Sequence, residues 1–485
     1  MVGGFVVATT LAAVIGGAGS PPGAAASLRA TTSAAPHDAV TPIQHVVVIF
    51  QENHSFDNVL GGLCVTDGLA CDGATTGLLH DGRRIALTAA PDVVPAVQHK
   101  IRHQRWAIDG GRMDGFDRIP GCGPYAHACY SQYDASEIPN LPTLAESYVI
   151  SDRTFSEDPI PSWGGHIELV AGQLDGFLGA GPSNDSGSKP QAGGWGCDSR
   201  KDSPWKNPAK PTSKVVLVPA CVPRADGFGP YRKSPVKYVP TIVDRLADAG
   251  LSWKIYADTG RKQSGYIWSL CPSFASCLYD KANHNDPNAN WEARDQFYAD
   301  AANGTLPAYS AIMPSYRLSQ HNYASMLAGD NYIESLVQAV MDGPPEQWLS
   351  TVLFITYDDC GCFYDHVPPP PHSGYGIRVP MVIVGPETKA SYVDHTVASF
   401  DSMLAFVEQN WQLAPLSSKD ARAYDYCDSF TFTLPCTGAA AGTTNPAARP
   451  AARAAPRHVR LRQSRVPAAS LRTARAHVPD PDDPT

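Results

Sequence analysis

Residues 46–62 read VVVIFQENHSFDNVLGG, and their pattern decides the fold class. Val46, Val47, Val48, Ile49 and Phe50 form an uninterrupted apolar run of the length of a strand buried on both faces. The run ends abruptly in Glu52, Asn53, Ser55 and Asp57. In open α/β sheets, ligands bind just beyond the carboxyl ends of the strands, where this polar cluster falls. Glu and Asn supply oxygen donors that suit a hard or borderline divalent metal ion. Ser55 or Asn53 would equally serve as the cap of a following helix.

A second segment repeats the design 300 residues later. STVLFITYDDCGCFYDHVPPPP, residues 350–371, carries a buried strand over Val352–Ile355 and then Thr356, Asp358, Asp359, Asp365 and His366. Adjacent carboxylates at a strand end repel each other unless a cation lies between them or one is protonated. Further candidate strands lie at 147–151, 214–218, 252–256, 308–313 and 380–384, and helical patterns at 139–148, 240–249 and 331–342. Strands alternating with helices predict a largely parallel sheet covered on both faces. The stretches 180–235 and 258–300 are rich in Gly, Pro, Ser, Asn and Asp, and read as long excursions around an active-site mouth.

Composition narrows the function classes. The chain has 485 residues, 43% of them hydrophobic and 18% charged, with a net charge of −9. Beyond Gly438 stand eight arginines, no lysine and three aspartates, a balance of +5 that leaves −14 for the rest. An acidic body argues against a nucleic-acid groove and offers no obvious surface to an anionic membrane. The Ala/Pro/Arg-rich tail, 438–485, lacks apolar periodicity and is expected to be disordered, with peripheral membrane contact left open. At the other end, the apolar stretch Phe5–Ile15 is too short to span a bilayer. Followed by small residues, it reads as a secretory signal over 1–27, atypical in having no Lys or Arg before Arg29. Residues 28–42 read as a linker, and 43–437 as one catalytic domain.

Twelve cysteines fall in six close pairs: Cys64/Cys71, Cys122/Cys129, Cys197/Cys221, Cys271/Cys277, Cys360/Cys362 and Cys427/Cys436. No CxxC spacing suited to tetrahedral zinc occurs. Six local disulfides in a secreted protein are expected, the Cys360–Cys362 ring being the tightest.

A hydrolase needs a nucleophile. PIPSWGGHIELVAGQ, residues 159–173, sets Ser162 in a Pro/Gly-bounded turn before a helical run. There free backbone N–H groups and the helix dipole favour a phosphate, although an N-cap serine would look the same. This is not a GxSxG elbow. His99, in AVQHKIRHQRWAIDGGRMDGF, and His321, in MPSYRLSQHNY, complete the candidates.

Together, QENHSFDNVLG, GGRMDGF, PSWGGHIELVAG, SQH, ITYDDCGCFYDHVPPP and GLSWKIY resemble the bacterial phosphoesterase family that joins phosphatidylcholine-type phospholipases C with acid phosphatases of the alkaline-phosphatase-like superfamily. The resemblance spans residues 43 to about 412. It implies a three-layer α/β/α sandwich, a divalent metal ion, and a phospho-enzyme intermediate. By the same resemblance Glu52, Asn53, Asp358 and Asp359 would ligate the metal, and Ser162 would be the nucleophile and share it. His99 and His321 would contact phosphoryl oxygens beside Asn53, and His366 matches a further substrate-side position. The chain departs from the family pattern at Trp163, Gly164 and Gly165, at Cys360 and Cys362, and at Gln320. The expected function is therefore a secreted metal-dependent phosphoesterase acting on phospholipids or soluble phosphate esters. A non-catalytic binding protein on the same scaffold would have no need of Ser162, Asp358 and Asp359, and a sulfatase would carry a Cys/Ser-x-Pro-x-Arg signature that IPSWGGH lacks. Substrate class, metal identity and oligomeric state are not decided by these residues.

Overall fold

The computed structural model describes Met1 and residues 38–123, 127–183, 194–280, 289–438 and 453–476. The expected signal segment and most of the expected linker lie outside these residues. All that follows belongs to the unit Ala35–Thr485.

The strands that position the site are β1 (His45–Gln51), β2 (Val149–Ser151), β3 (Asp202–Trp205), β4 (Val216–Pro219), β5 (Trp253–Tyr256), β6 (Trp291–Glu292), β7 (Tyr309–Ile312), β8 (Thr351–Tyr357), β9 (Met381–Val384) and β10 (Tyr392–Asp394). Eight of them form one sheet in the order β6-β5-β7-β1-β8-β9-β2-β10. Five neighbours, from β6 to β8, run parallel, and β9 alone runs antiparallel to both of its neighbours. Parallel strands need crossovers, and here the crossovers are helices: α1 (Ile101–Ile108), α2 (Asn140–Ser147), α3 (Ser162–Ala171), α4 (Ile242–Asp248), α5 (Met326–Met341) and α6 (Phe400–Trp411).

Two side chains from consecutive residues of β1 show both faces covered. Phe50 packs edge-on against Phe400 of α6 at 5.4 Å and against His166 of α3 at 5.0 Å. Gln51, pointing the other way, donates to the Leu318 carbonyl at 3.2 Å and lies 3.5 Å from that of Gly329 in α5. The expected helix–sheet–helix layering is present, with every residue of β8 and β9 buried.

Four expectations need correction. The strand near 214–218 forms, but as β4 of an external antiparallel hairpin with β3 rather than in the main sheet. Its apolar run mimicked a core strand because periodicity alone carries no information about the partner. Helix α5 begins at Met326, five residues before the apolar pattern, because the Ser325 hydroxyl accepts from Ala328 N–H and caps it. Cys360 and Cys362 are buried free thiols, while the other ten cysteines form the five expected local disulfides. Lastly, part of the tail is ordered against the body. The Tyr148 hydroxyl donates to Pro456 O at 2.9 Å, Trp348 Nε1 to Arg457 O at 2.7 Å, and Asn140 Nδ2 to Arg462 O at 3.0 Å. Residues 439–452 and 477–485 lie outside the described residues.

Candidate active site

Because β1 and β8 are parallel neighbours in register, with Gln51 opposite Tyr357, the residues that follow them emerge side by side. Asp358 N–H donates to Gln51 O at 3.0 Å, and Asn53 N–H donates to Asp358 Oδ1 at 2.7 Å. Two motifs some 300 residues apart thus become one cluster at the carboxyl edge of the sheet. Glu52, Asn53, Asp358 and Asp359 are all completely buried.

Helix α3 closes the cluster from above. Ser162 is its first residue, and its hydroxyl lies 3.3 Å from Asn53 Oδ1. The two glycines after Trp163 explain how the helix comes so close. A Cβ on Gly165 would stand 3.0 Å from Asp358 O, and one on Gly164 would stand 2.8 Å from the Gly179 Cα. One turn later, His166 presents Nε2 to Glu52 Oε1 at 3.2 Å while its Nδ1 faces Ser162 O at 2.8 Å. His166 was not among the sequence candidates. The available signal was its i+4 spacing from Ser162, which stacks the two side chains on one helix face.

Burial governs the charges. It drives the carboxyl groups of Glu52, Asp358 and Asp359 well above the usual carboxylate range, and their mutual repulsion adds to the effect. Neither Glu52 oxygen has a well-formed hydrogen bond. Glu52, His166 and Asp358 offer ligand atoms that all lie within 4.8 Å of one another. Asp359 sits beside them, its Oδ1 accepting Gly361 N–H at 2.6 Å.

The Asn53 amide tests whether a cation fits. Turned one way, its nitrogen donates to Asp358 at 3.1 and 3.2 Å and its oxygen accepts from His321 Nε2 at 2.7 Å. That arrangement requires a proton on His321 Nε2, yet Nδ1 already faces the Asn322 carbonyl at 3.1 Å. Both nitrogens would then have to donate, whereas burial holds this imidazole down to about 3 and therefore neutral. Turned the other way, the amide nitrogen donates to His321 and the oxygen converges with Asp358 and Ser162 Oγ. The Ser162 hydroxyl can donate to that amide oxygen at 3.3 Å, but the amide oxygen's approach to the Asp358 carboxylate brings two acceptors together, which a cation between them would stabilise. The donor set therefore fits a divalent metal ion.

Two histidines border the other side. His99 Nδ1 faces Val97 O at 2.9 Å, which leaves Nε2 buried and without a hydrogen-bonded partner. Its ring meets that of His321 edge-on, centroids 6.3 Å apart, and burial lowers its pKa. Gln320, one of the departures from the family pattern, holds this loop: its Nε2 donates to Met326 O at 3.0 Å. A cleft of about 490 Å³ opens beside Ser162, lined by Lys100, Arg102, Trp163, Gly181, Trp195 and Pro204. The excursion from residue 180 thus reaches the site mouth as expected.

His366 is brought elsewhere. Its Nδ1 lies 2.6 Å from Asp57 Oδ2 and its Nε2 3.0 Å from Asp72 Oδ1. The buried Arg378 guanidinium pairs with Asp57 and Asp365 at 3.2 and 2.9 Å. The guanidinium already supplies the positive charge these carboxylates need, so this second acidic group holds the β1 and β8 loops together.

The Phosphoesterase family matches residues 43–414. Among characterised proteins, the non-hemolytic phospholipase C of Burkholderia pseudomallei is 24% identical over 82% of this chain and 60% of its own length. Phospholipase C B of Mycobacterium tuberculosis is 24% identical over 82% of this chain and 79% of its own. The non-specific phospholipase C1 of Arabidopsis thaliana is 23% identical over 74% and 60%. The chain thus spans 60% of the length of the first and third. Solved structures with similarity include an alkaline phosphatase superfamily protein from Vibrio parahaemolyticus, at 11% identity, 81% and 76% coverage and a TM-score of 0.34. A phosphonate monoester hydrolase from Silicibacter pomeroyi has 12% identity, 67% and 74% coverage and a TM-score of 0.30.

Proposed function

The chain belongs to the Phosphoesterase family, and from that premise we propose that it is a secreted, metal-dependent phosphoric ester hydrolase working through a phospho-serine on Ser162. The observation that carries this reading is the meeting of Ser162 Oγ, the Asn53 amide and the buried Glu52–Asp358 pair at adjoining parallel strand ends. Glu52, Asn53, Asp358, Asp359 and Ser162 would hold the ion, with His166 as an additional nitrogen donor. When bound, the ion supplies Lewis-acid neutralisation of the phosphoryl charge and lowers the pKa of the serine hydroxyl.

This chain's own groups do the rest. Ser162 Oγ passes its proton to the Asp358 carboxylate and attacks phosphorus, forming the Oγ–P bond as the bond from phosphorus to the alcohol oxygen breaks. The free N–H groups at the start of α3 receive the equatorial oxygens. His99 reaches the phosphoryl group through Nε2, because its Nδ1 is committed to a backbone carbonyl, while His321, whose Nε2 accepts the Asn53 amide N–H, orients the amide oxygen toward the site. His99, having taken a proton from water at Nε2 as the anion arrives, gives it to the leaving alkoxide. Water then gives a proton to the now neutral histidine as its oxygen attacks phosphorus, the Oγ–P bond breaks, Ser162 Oγ recovers the proton held by Asp358, and phosphate or a phosphomonoester leaves. The test is a panel of p-nitrophenyl phosphate, p-nitrophenyl phosphorylcholine and phosphatidylcholine. Turnover of at least one should fall by roughly 10³-fold or more in Ser162→Ala. Quenched wild-type enzyme should carry a phosphoryl group on the peptide containing Ser162. An unaltered rate, or a phosphoryl group found elsewhere, refutes the assignment.

A further inference from the structure

The external hairpin is unlike the rest of the surface. Val215, Val216 and Leu217 are 51, 46 and 37% exposed. Val216 and Leu217 are successive residues of β4, so their side chains leave opposite faces of the ribbon, and water meets both. A two-stranded ribbon with apolar residues exposed on both faces lacks a partner layer.

Charge around it is equally one-sided. Residues 206–237 contain seven cations (Lys206, Lys210, Lys214, Arg224, Arg232, Lys233 and Lys237) and one carboxylate, Asp226, a local +6 in a chain of net −9. Lys210, Lys214 and Lys233 are exposed and form no ion pair among the described residues. Arg224, Arg232, Lys233, Lys237 and Asp226 line a groove of about 420 Å³. Arg232 ties that groove to the hairpin, donating to Leu217 O at 3.1 Å and to Asp202 Oδ1 at 2.7 Å.

The hairpin also belongs to the mouth of the active-site cleft. Leu217 pairs in register with Pro204, and Pro204 lines the cleft beside Ser162. The opposite strand is anchored to the same wall, through Ser203 Oγ to Ala180 O and Leu178 N–H to Pro204 O, both at 3.0 Å. Leu178 is itself 36% exposed. Apolar tips flanked by unpaired lysines complement a bilayer with anionic headgroups: the tips enter the acyl boundary while the lysines stay at the phosphates.

We propose that the β3–β4 hairpin and its basic groove dock this protein on an anionic phospholipid surface, with the cleft mouth held at the lipid. The inference rests on the phosphoester-hydrolase reading and names the surface on which that chemistry meets its substrate. The test is flotation of the full chain with vesicles of phosphatidylcholine alone or with about 30% phosphatidylserine, at low and physiological salt. Wild type should float with the anionic vesicles. Both Val216→Glu/Leu217→Glu and Lys210→Glu/Lys214→Glu/Lys233→Glu should reduce the bound fraction roughly tenfold, with p-nitrophenyl phosphate turnover within about twofold of wild type. Failure of wild type to float overturns the proposal. So does binding that survives Val216→Glu/Leu217→Glu, including equally tight binding to a DNA duplex, since charge alone would then explain it. Ser162→Ala should float like wild type while hydrolysing nothing. Flotation by a protein that hydrolyses none of the panel would sink the enzymatic reading and leave the docking surface standing.

Discussion

Ser162 and Ser156 are six residues apart in one segment and buried alike, yet they differ in company. Ser156 Oγ donates to the Asp158 and Ile377 carbonyls at 3.3 and 3.4 Å, a local brace with no carboxylate or amide facing it. Ser162 Oγ faces Asn53 and the acidic cluster. Ser156→Ala should therefore keep turnover within about an order of magnitude and lose about 1 kcal/mol of stability, whereas Ser162→Ala stays folded and inactive. A rate lost in the first variant and kept in the second would reverse the assignment. His166 makes a finer test. With its Nδ1 on Ser162 O and its Nε2 on Glu52, it either donates to the ion or orients Glu52. His166→Ala should weaken metal affinity about 10- to 100-fold, read by competition with a chelator. Unchanged affinity would leave it a packing residue against Phe50. The Ser162 position was legible because a serine before a helical run is a recognisable pattern. His166 was not, since its partner Glu52 lies more than a hundred residues away and only the register of β1 brings them together.

At the level of elements, the turn after β8 shows how a strand end gathers oxygen donors. Gly361 and Cys362 both adopt left-handed φ, +52° each, and this lets Gly361 N–H reach back to Asp359. A Cβ on Gly361 would lie 2.1 Å from Asn53 O. Gly361→Ala should thus push the β1 and β8 loops apart, lowering metal occupancy and turnover by at least an order of magnitude. Normal occupancy in that variant would show the turn to be pliable. The same turn explains why the expected sixth disulfide is missing: the Cys360 sulfur accepts Cys362 N–H at 3.1 Å. Thiol titration of denatured, unreduced protein should count two cysteines, mapping to 360 and 362, rather than none or twelve. Below this turn, His366 ties β8 to β1. Burial lowers its pKa, but hydrogen bonding and charge from Asp57, with Asp365, outweigh burial and raise it overall. A histidine whose folded pKa exceeds the unfolded value stabilises fully below about pH 6.5, and the gain disappears as pH rises through the folded pKa. The melting temperature of wild type should therefore exceed that of His366→Gln at pH 6 by more than at pH 9. A constant difference would mean that the imidazole acts by packing alone.

Across the whole molecule, what the sequence made legible was local and repetitive. Six of seven candidate strands entered the main sheet because strands buried on both faces are continuous apolar runs. The seventh, at 214–218, failed for the same reason, since an exposed apolar ribbon writes the same letters as a core strand. The edge strands of the main sheet, β6 and β10, are two and three residues long, too short for any period to register. Averages hid more than motifs did. A net charge of −9 suggested no anionic-membrane surface, while 32 consecutive residues around the hairpin carry +6. The tail misled in the opposite sense, because low hydrophobicity does not prevent a segment from lying on a surface that offers it donors. Residues 456–464 place carbonyl oxygens opposite Tyr148, Trp348, Asn140 and Asn331 Nδ2, the last donating to Ser464 O at 2.7 Å. The donors come from the α2–α5 side of the molecule and from the residues preceding β8, away from Ser162. Ending the chain at residue 452 should then remove at least ten hydrogen bonds to the body, each worth about 0.5–1.5 kcal/mol net, and lower the melting temperature measurably. Turnover of soluble esters at 25 °C should be unchanged, because no described tail residue lines the cleft or the proposed cation site. A loss of turnover in a protein that still melts cooperatively would place the tail in the catalytic path instead.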